Sequence, residues 1–390
     1  MKMKKMFGKL LFGLAVILLT ITGAHAGEVL KVGLAPPLTG DMAAYSEAMG
    51  AKCMADMINK KAGPNDITVD LTIEDSRTDP QLASSIVQKY LDAGAVMVHG
   101  ICWPDSLIPV SKMAEPYNAF VFSAQTTEVD MHDMKLQNFV ELPAPDDVAA
   151  SAMASTTYDK GARTAVIFTS EDGGSWTAKT PVWFGEAFEK LGGKVIKKLN
   201  HAIGTTDYSP QITEIMNIKP KLPDAVYVCS VVPDVGILAR QLIAAGYDGW
   251  VVGCDGFDDP SLNATVGSNE ALSQVMFSTH MATMPGTPAG KFLAECKDAG
   301  YNVHSVFDVL GGDMMKILVE AAKIAGTTKD GMKILKAIQT HDKFELMSGG
   351  TVSFKEKGTW PVRKIPIIGF KDGKRFVASS EVPSFIPHSK

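Results

Sequence analysis

Cysteine is scarce in this chain of 390 residues: five, at positions 53, 102, 229, 254 and 296, with no CxxC pair. So few exclude a scaffold built on disulfides. Cys229 and Cys254 each end an apolar, strand-like run, so a bridge between them is one reading and buried free thiols the simpler one. The cysteines and histidines form no paired ligand motif, which argues against a metal site. Long hydrophobic runs are also missing after the first residues. The run from Leu10 to Ile21 is shorter than the roughly 20 residues a membrane span needs.

That run follows Lys2, Lys4, Lys5 and Lys9 and ends in "GAHA", with Ala24 and Ala26 at the small positions a signal peptidase reads. Residues 1–26 are therefore expected to be a cleaved signal peptide, and the remainder soluble and exported to the periplasm. Gly27 is not a cysteine, so no lipid anchor is expected there. Losing the leader lowers the basic count from 38 to 34 against 43 acids, a net charge of about −9. A chain so acidic lacks the basic face that a nucleic-acid partner requires, but it can still bind a small molecule.

Enzyme signatures are absent as well. "APPLTGDMAAY" after the first strand-like run has no GxGxxG, and neither Walker A nor HExxH occurs. "GGSWT" is not GxSxG, because Thr177 replaces the final glycine. No cofactor, metal or catalytic residue is assigned. Together with the export signal, these absences favour binding over catalysis, with a secreted hydrolase using Ser175 as the enzymatic alternative.

What the chain does have is alternation. Strand-like runs at 29–35, 67–74, 95–100 and 119–123 are separated by amphipathic helical stretches. One of these opens at Asp79-Pro80, a capping acid with proline at the first helical position, and stops at Gly94. After "NFVELPAPDD" the alternation starts again, with runs at 164–169, 193–199, 224–229 and 250–254. Helices are expected at 176–191, 234–245, 303–325 and 332–339, and short strands close the chain. Such a pattern predicts an α/β fold of two doubly wound lobes with mostly parallel sheets and a hinged cleft between them.

In that architecture ligands meet the residues that follow the strands. These are "ICWPDS" with Trp103 and Ser106, "AQTTE" with Gln125 and Thr127, "SEDGGSW" with Ser175 and Trp176, and "GWVVGCDGFDDP" with Asp255. Capping explains Ser106 and Thr127 well enough, and a tryptophan at a turn most often covers a core edge. Asp255 is harder to dismiss, since Asp258 or Asp259 beside Pro260 are the better caps for the next helix. Gly253 and Gly256 on either side of it let the backbone come close to something.

The order and spacing of "KVGLAPPLTGDMAAYSEAMGAKCMADMINKKAG", "IEDSRTDPQLASSIVQKYLDAGAVMVHG", "LARQLIAAGYDGWVVGCDGF" and "VSFKEKG" resemble the type I periplasmic binding proteins of ABC transporters. The similar branch is the one that captures leucine, isoleucine and valine, and the resemblance covers nearly all of the chain beyond the leader. It implies two lobes, 27–142 with 283–349 and 143–282 with 350–390, joined by crossings near 141–145, 278–285 and 349–361. It also implies a monomer that delivers a small solute, most simply an amino acid, to an ABC permease in the inner membrane. By the same resemblance Asp255 would hold the ligand's ammonium, Tyr45 would cover its side chain and Thr127 would bind it. Gln125 would offer backbone contacts, and Trp176 or Ser175 would close over it from the second lobe.

The chain departs from that pattern in three places. Trp103-Pro104-Asp105 replaces the serines that grip an α-carboxylate, and Ser106 could substitute only with a shift. Val231 replaces an aromatic residue, and no cysteine stands near 77–78, where the family has a disulfide partner. These departures weaken the amino-acid reading. The same fold also serves amides, urea and aromatic acids, and Tyr45, Trp103 and Trp176 would suit a flat ring.

Overall fold

The computed structural model describes residues 27–40 and 42–387, so the expected signal peptide lies outside the described residues. Two sheets organise the chain. The first contains β1 (Val29–Leu34), β2 (Thr68–Ile73), β3 (Met97–His99), β4 (Phe120–Ser123) and β5 (Phe139–Glu141), all parallel, in the order β2-β1-β3-β4-β5. The second contains β6 (Thr164–Thr169), β7 (Lys194–Asn200), β8 (Ala225–Val228), β9 (Trp250–Gly253) and β10 (Val275–Ser278). After the two-residue pair β11 (Phe344–Glu345) and β12 (Thr351–Val352), β13 (Ile365–Lys371) and β14 (Lys374–Glu381) complete the second sheet as antiparallel edge strands.

The first five strands of each sheet follow the same order, second-first-third-fourth-fifth. In such an order the connections leave towards opposite faces on either side of the first strand, which opens a crevice at the strand ends. The chain passes from the first sheet to the second after β5. It returns after β10, whose following helix, Pro288–Asp298, packs into the core of the first sheet, and it crosses again between β12 and β13.

The central strands are apolar and buried on both faces, as β4 and β8 show, because helices cover both sides. Helix Val306–Ala325 is capped by Ser305, whose hydroxyl accepts the Asp308 N–H while the Asp308 carboxylate takes the Ser305 N–H. It packs on helix Ala48–Lys61 so closely that a Cβ at Gly50 would lie 1.7 Å from the Asp308 carbonyl oxygen.

Cys53 on that helix forms a disulfide with Cys296 on helix Pro288–Asp298, bridging 243 residues. Cys102, Cys229 and Cys254 are free and buried. This corrects the expectation for two of the five thiols, and Cys229 and Cys254 are not bridged to each other. Among the described residues no helix is long and apolar enough to cross a membrane, and no cluster of His, Cys, Asp or Glu is suited to a metal ion.

Candidate functional site

The ends of β1, β3 and β4 face the ends of β6, β8 and β9 across a cleft of about 440 Å³ of empty space, part of it open to solvent. From the first sheet come Met42 and Tyr45 after β1, Cys102 and Trp103 after β3, and the run Gln125 to Glu128 after β4. From the second come Trp176 after β6, Val231 after β8, and Asp255 and Gly256 after β9, while Phe307 reaches in from the long helix.

Asp255 is 8 % exposed and held at both oxygens. The indole N–H of Trp176 donates to Oδ1 at 3.2 Å, and His280 Nε2 lies 3.1 Å from Oδ2. Gly256 makes this geometry accessible: a Cβ there would come within 2.8 Å of the Trp176 ring and 2.2 Å of the Ser230 carbonyl oxygen. The close approach that the glycine permits is thus to the protein's own indole. Of the two acids beside Pro260, Asp259 accepts the Ser261 N–H at 2.6 Å just ahead of the next helix, whereas Asp258 is not a helix cap. Its carboxylate takes the Thr279 hydroxyl and the Arg375 guanidinium, and the following helix, Leu262–Val266, starts from Ser261.

The first-lobe wall is wired from behind. The Ser123 hydroxyl accepts the N–H groups of Gln125 and Thr126 at 3.2 and 2.9 Å and lies 2.8 Å from His99 Nε2, while His99 Nδ1 lies 2.9 Å from Glu47. Glu47, His99 and Ser123 are fully buried, so this chain fixes the loop that carries Gln125 and Thr127.

The lobes touch directly. The Tyr45 hydroxyl donates to the Gly256 carbonyl at 3.2 Å and accepts the Val232 N–H at 3.3 Å. Ser175 donates to Glu128 at 2.6 Å, and Lys179 pairs with Asp130 at 2.8 Å. These bonds describe a closed cleft.

Carboxyl groups dominate its electrostatics. Burial raises the pKa of Glu128, opposed by the Ser175 hydroxyl. Burial also raises that of Asp146, assisted by the charges of Asp255 and Glu128. Among the described residues, the wall carries two carboxylates and no lysine, arginine or histidine.

The structure brings Tyr45, Trp103, Gln125, Thr127, Trp176 and Asp255 together on this wall. Ser106 is not part of it. It is fully buried, and its hydroxyl accepts the Ile101 N–H at 3.1 Å, which removes it as a replacement for carboxylate-gripping serines. Ser175 also stands off the wall and acts through Glu128. Sequence reasoning missed Met42, Cys102, Thr126, Glu128 and Phe307. Glu128, which directly follows Thr127, could have been found from its position, but nothing local marks Phe307.

A sequence profile described as periplasmic binding protein matches residues 29–374. The chain belongs to that family. It is 26 % identical over 362 residues to the Leu/Ile/Val-binding protein BraC3 of Rhizobium johnstonii, covering 90 % of this chain and 94 % of that one. Among solved structures it resembles the leucine-binding protein LivK of Thermotoga maritima, with a TM-score of 0.76 at 22 % identity, over 91 % of this chain and 99 % of the other. It equally resembles a solute-binding protein of an R. palustris ABC transporter in complex with benzoate, with a TM-score of 0.75 at 18 % identity, over 92 % and 98 % of the two chains. These likenesses confirm two lobes with mostly parallel sheets. The family and fold are those of proteins that bind solutes rather than transform them.

Proposed function

We propose that this protein is the extracytoplasmic receptor of an ABC importer and that it closes its two lobes over a small solute bearing a positively charged amine. In this reading residues 1–26 direct export, and a monomer presents the closed form to an inner-membrane permease. The observation that carries the choice of solute is the charge of the wall: Asp255 and Glu128 face the cavity with no cationic side chain among its described residues. A charge-assisted hydrogen bond in such a site contributes about 1.5–3 kcal/mol. The names of relatives such as BraC3 make branched-chain amino acids the first amine-bearing candidates.

A second reading, an aromatic carboxylate, has the four rings of Tyr45, Trp103, Trp176 and Phe307 in its favour, together with the benzoate-bound neighbour. It lacks a cation to receive the acid.

A thermal-shift screen of amines, amino acids, amides and aromatic acids tests the choice. A guest at 100 times its dissociation constant adds about 2.7 kcal/mol of stability. Stabilisation by amine-bearing solutes supports the proposal, and stabilisation by aromatic acids alone refutes it.

A further inference from the structure

His280 is 2 % exposed and stands between the two sheets, in the segment that returns the chain from β10 to helix Pro288–Asp298. Its neighbours tie that segment to both sides. Thr279 donates its N–H to the Pro366 carbonyl at 3.0 Å and its hydroxyl to Asp258, both partners belonging to the second lobe. Met281 is buried in the core around the first sheet, whereas Ala282 and Met284 pack against that of the second. Arg363, on the third crossing, donates to the His280 carbonyl at 2.8 Å, so two of the crossings meet at this residue.

The side chain reaches both lobes. Nε2 lies 3.1 Å from Oδ2 of Asp255, and since a carboxylate only accepts, the imidazole is the donor. The ring meets Phe307 edge-on, at 5.8 Å between centroids and 69° between planes. Phe307 belongs to the long first-lobe helix and lines the cavity. It also meets, edge-on, Tyr45, whose hydroxyl spans the lobes. A continuous run of contacts therefore leads from Tyr45 through Phe307 and His280 to the Asp255 carboxylate. Trp176, on the other oxygen, comes from the same lobe as Asp255 and cannot report closure in this way.

We propose that His280 is a positioning residue that couples closure of the lobes to the aim of Asp255. Closure seats Phe307 against the imidazole, and the Nε2–H then holds the carboxylate towards the guest. A carboxylate fixed in this way loses less freedom when it takes up an amine, which tightens binding without any new contact to the guest. The proposal rests on the reading that Asp255 receives the guest's amine, and it adds the means by which the closed cleft grips that amine more firmly than the open one. If the ring served packing alone, an apolar side chain of the same bulk would do as well, so the donor at Nε2 is what the test must isolate.

Calorimetric titration at pH 7 with L-leucine and L-leucinamide, two amines with the same branched body, compares the unaltered protein, freed of bound solute by dialysis, with two variants. His280→Leu removes the donor and keeps the bulk, and His280→Gln places an amide N–H where Nε2 stood. His280→Leu is expected to weaken the tighter-binding amine roughly tenfold or more, as loss of a charge-assisted bond does, and His280→Gln to restore affinity to within about threefold. Stopped-flow measurement is expected to place the loss in faster dissociation, since ring and carboxylate come together as the cleft shuts. Unchanged affinity in His280→Leu overturns the proposal. So does His280→Gln binding as weakly as His280→Leu, which leaves the imidazole a packing role. A loss confined to association overturns it too, because Asp255 is then aimed before closure. His280→Met replaces His280→Leu if the latter shows no cooperative melting transition. Each of these failures leaves the amine reading standing, whereas an unaltered protein that binds neither amine ends that reading and this proposal together.

Discussion

The Trp176 indole N–H lies 3.2 Å from Oδ1 of Asp255, and His280 Nε2 lies 3.1 Å from Oδ2. A carboxylate can accept more than one bond at each oxygen, so both donors position Asp255 without exhausting it. Trp176 stays in place because residue 256 has no side chain. Gly256→Ala should therefore push the indole away, at roughly 1–3 kcal/mol as for other forced overpacking. The expected outcome is a folded protein, by circular dichroism, whose amine affinity is at least tenfold weaker.

Tyr45 joins the lobes through the Gly256 carbonyl and the Val232 N–H. Tyr45→Phe keeps the ring and its edge contact with Phe307, at 5.8 Å between centroids, but loses both bonds. Each contributes about 0.5–1.5 kcal/mol. Stopped-flow measurement should show dissociation several-fold faster with association little changed, because the bonds form only when the cleft is shut.

Cys53 and Cys296 close a loop of 243 residues, whereas Cys102, Cys229 and Cys254 are buried, and burial raises the pKa of each of these thiols. Titration with a thiol reagent should find no fast-reacting group in the native protein, three after unfolding, and five after unfolding with reductant. Reduction should cost about 2–4 kcal/mol of stability, read from the urea midpoint.

Burial, with the charges of Asp255 and Glu128, holds the Asp146 pKa well above its ordinary value. Above about pH 3.9 the unfolded chain has released this proton while the folded protein keeps it. Folding then takes up a proton, and stability falls as pH rises through the folded pKa. Asp146→Asn cannot ionise, so its melting midpoint should gain on the unaltered protein as pH rises from 4 towards neutrality. Asp224 has the opposite sign. Desolvation opposes the shift, but hydrogen bonds from Lys221, Arg163 and Thr164 bring it to about 2, so its stabilisation is lost as pH falls towards that value.

Periodic burial made the fold legible. The strand read at 164–169 is β6, and the run at 224–229 contains β8 with one extra residue at each end. Helix 303–325 was placed three residues early because Ser305 and Asp308 form a capping box after that start. The strand-end rule points to Asp255 and Gln125, each two residues past a strand, and to Trp176 in the first turn of the helix after β6, and all three line the cavity. It could not find the Cys53–Cys296 bridge or Phe307, because both depend on how distant helices pack on the first sheet. Ser106 misled because a serine near a helix start reads as a cap or a ligand group. In the fold it staples the turn at Ile101.

The central claim is that Asp255 receives the positive charge of the guest. Calorimetric titration of the unaltered protein and of Asp255→Asn with L-leucinamide tests it most directly. Removing a partner of a charged hydrogen bond costs about 1.5–3 kcal/mol, so affinity should fall roughly 10- to 100-fold while the melting midpoint of the empty protein stays within a few degrees. An Asp255→Asn variant that binds leucinamide as tightly as the unaltered protein would contradict the account.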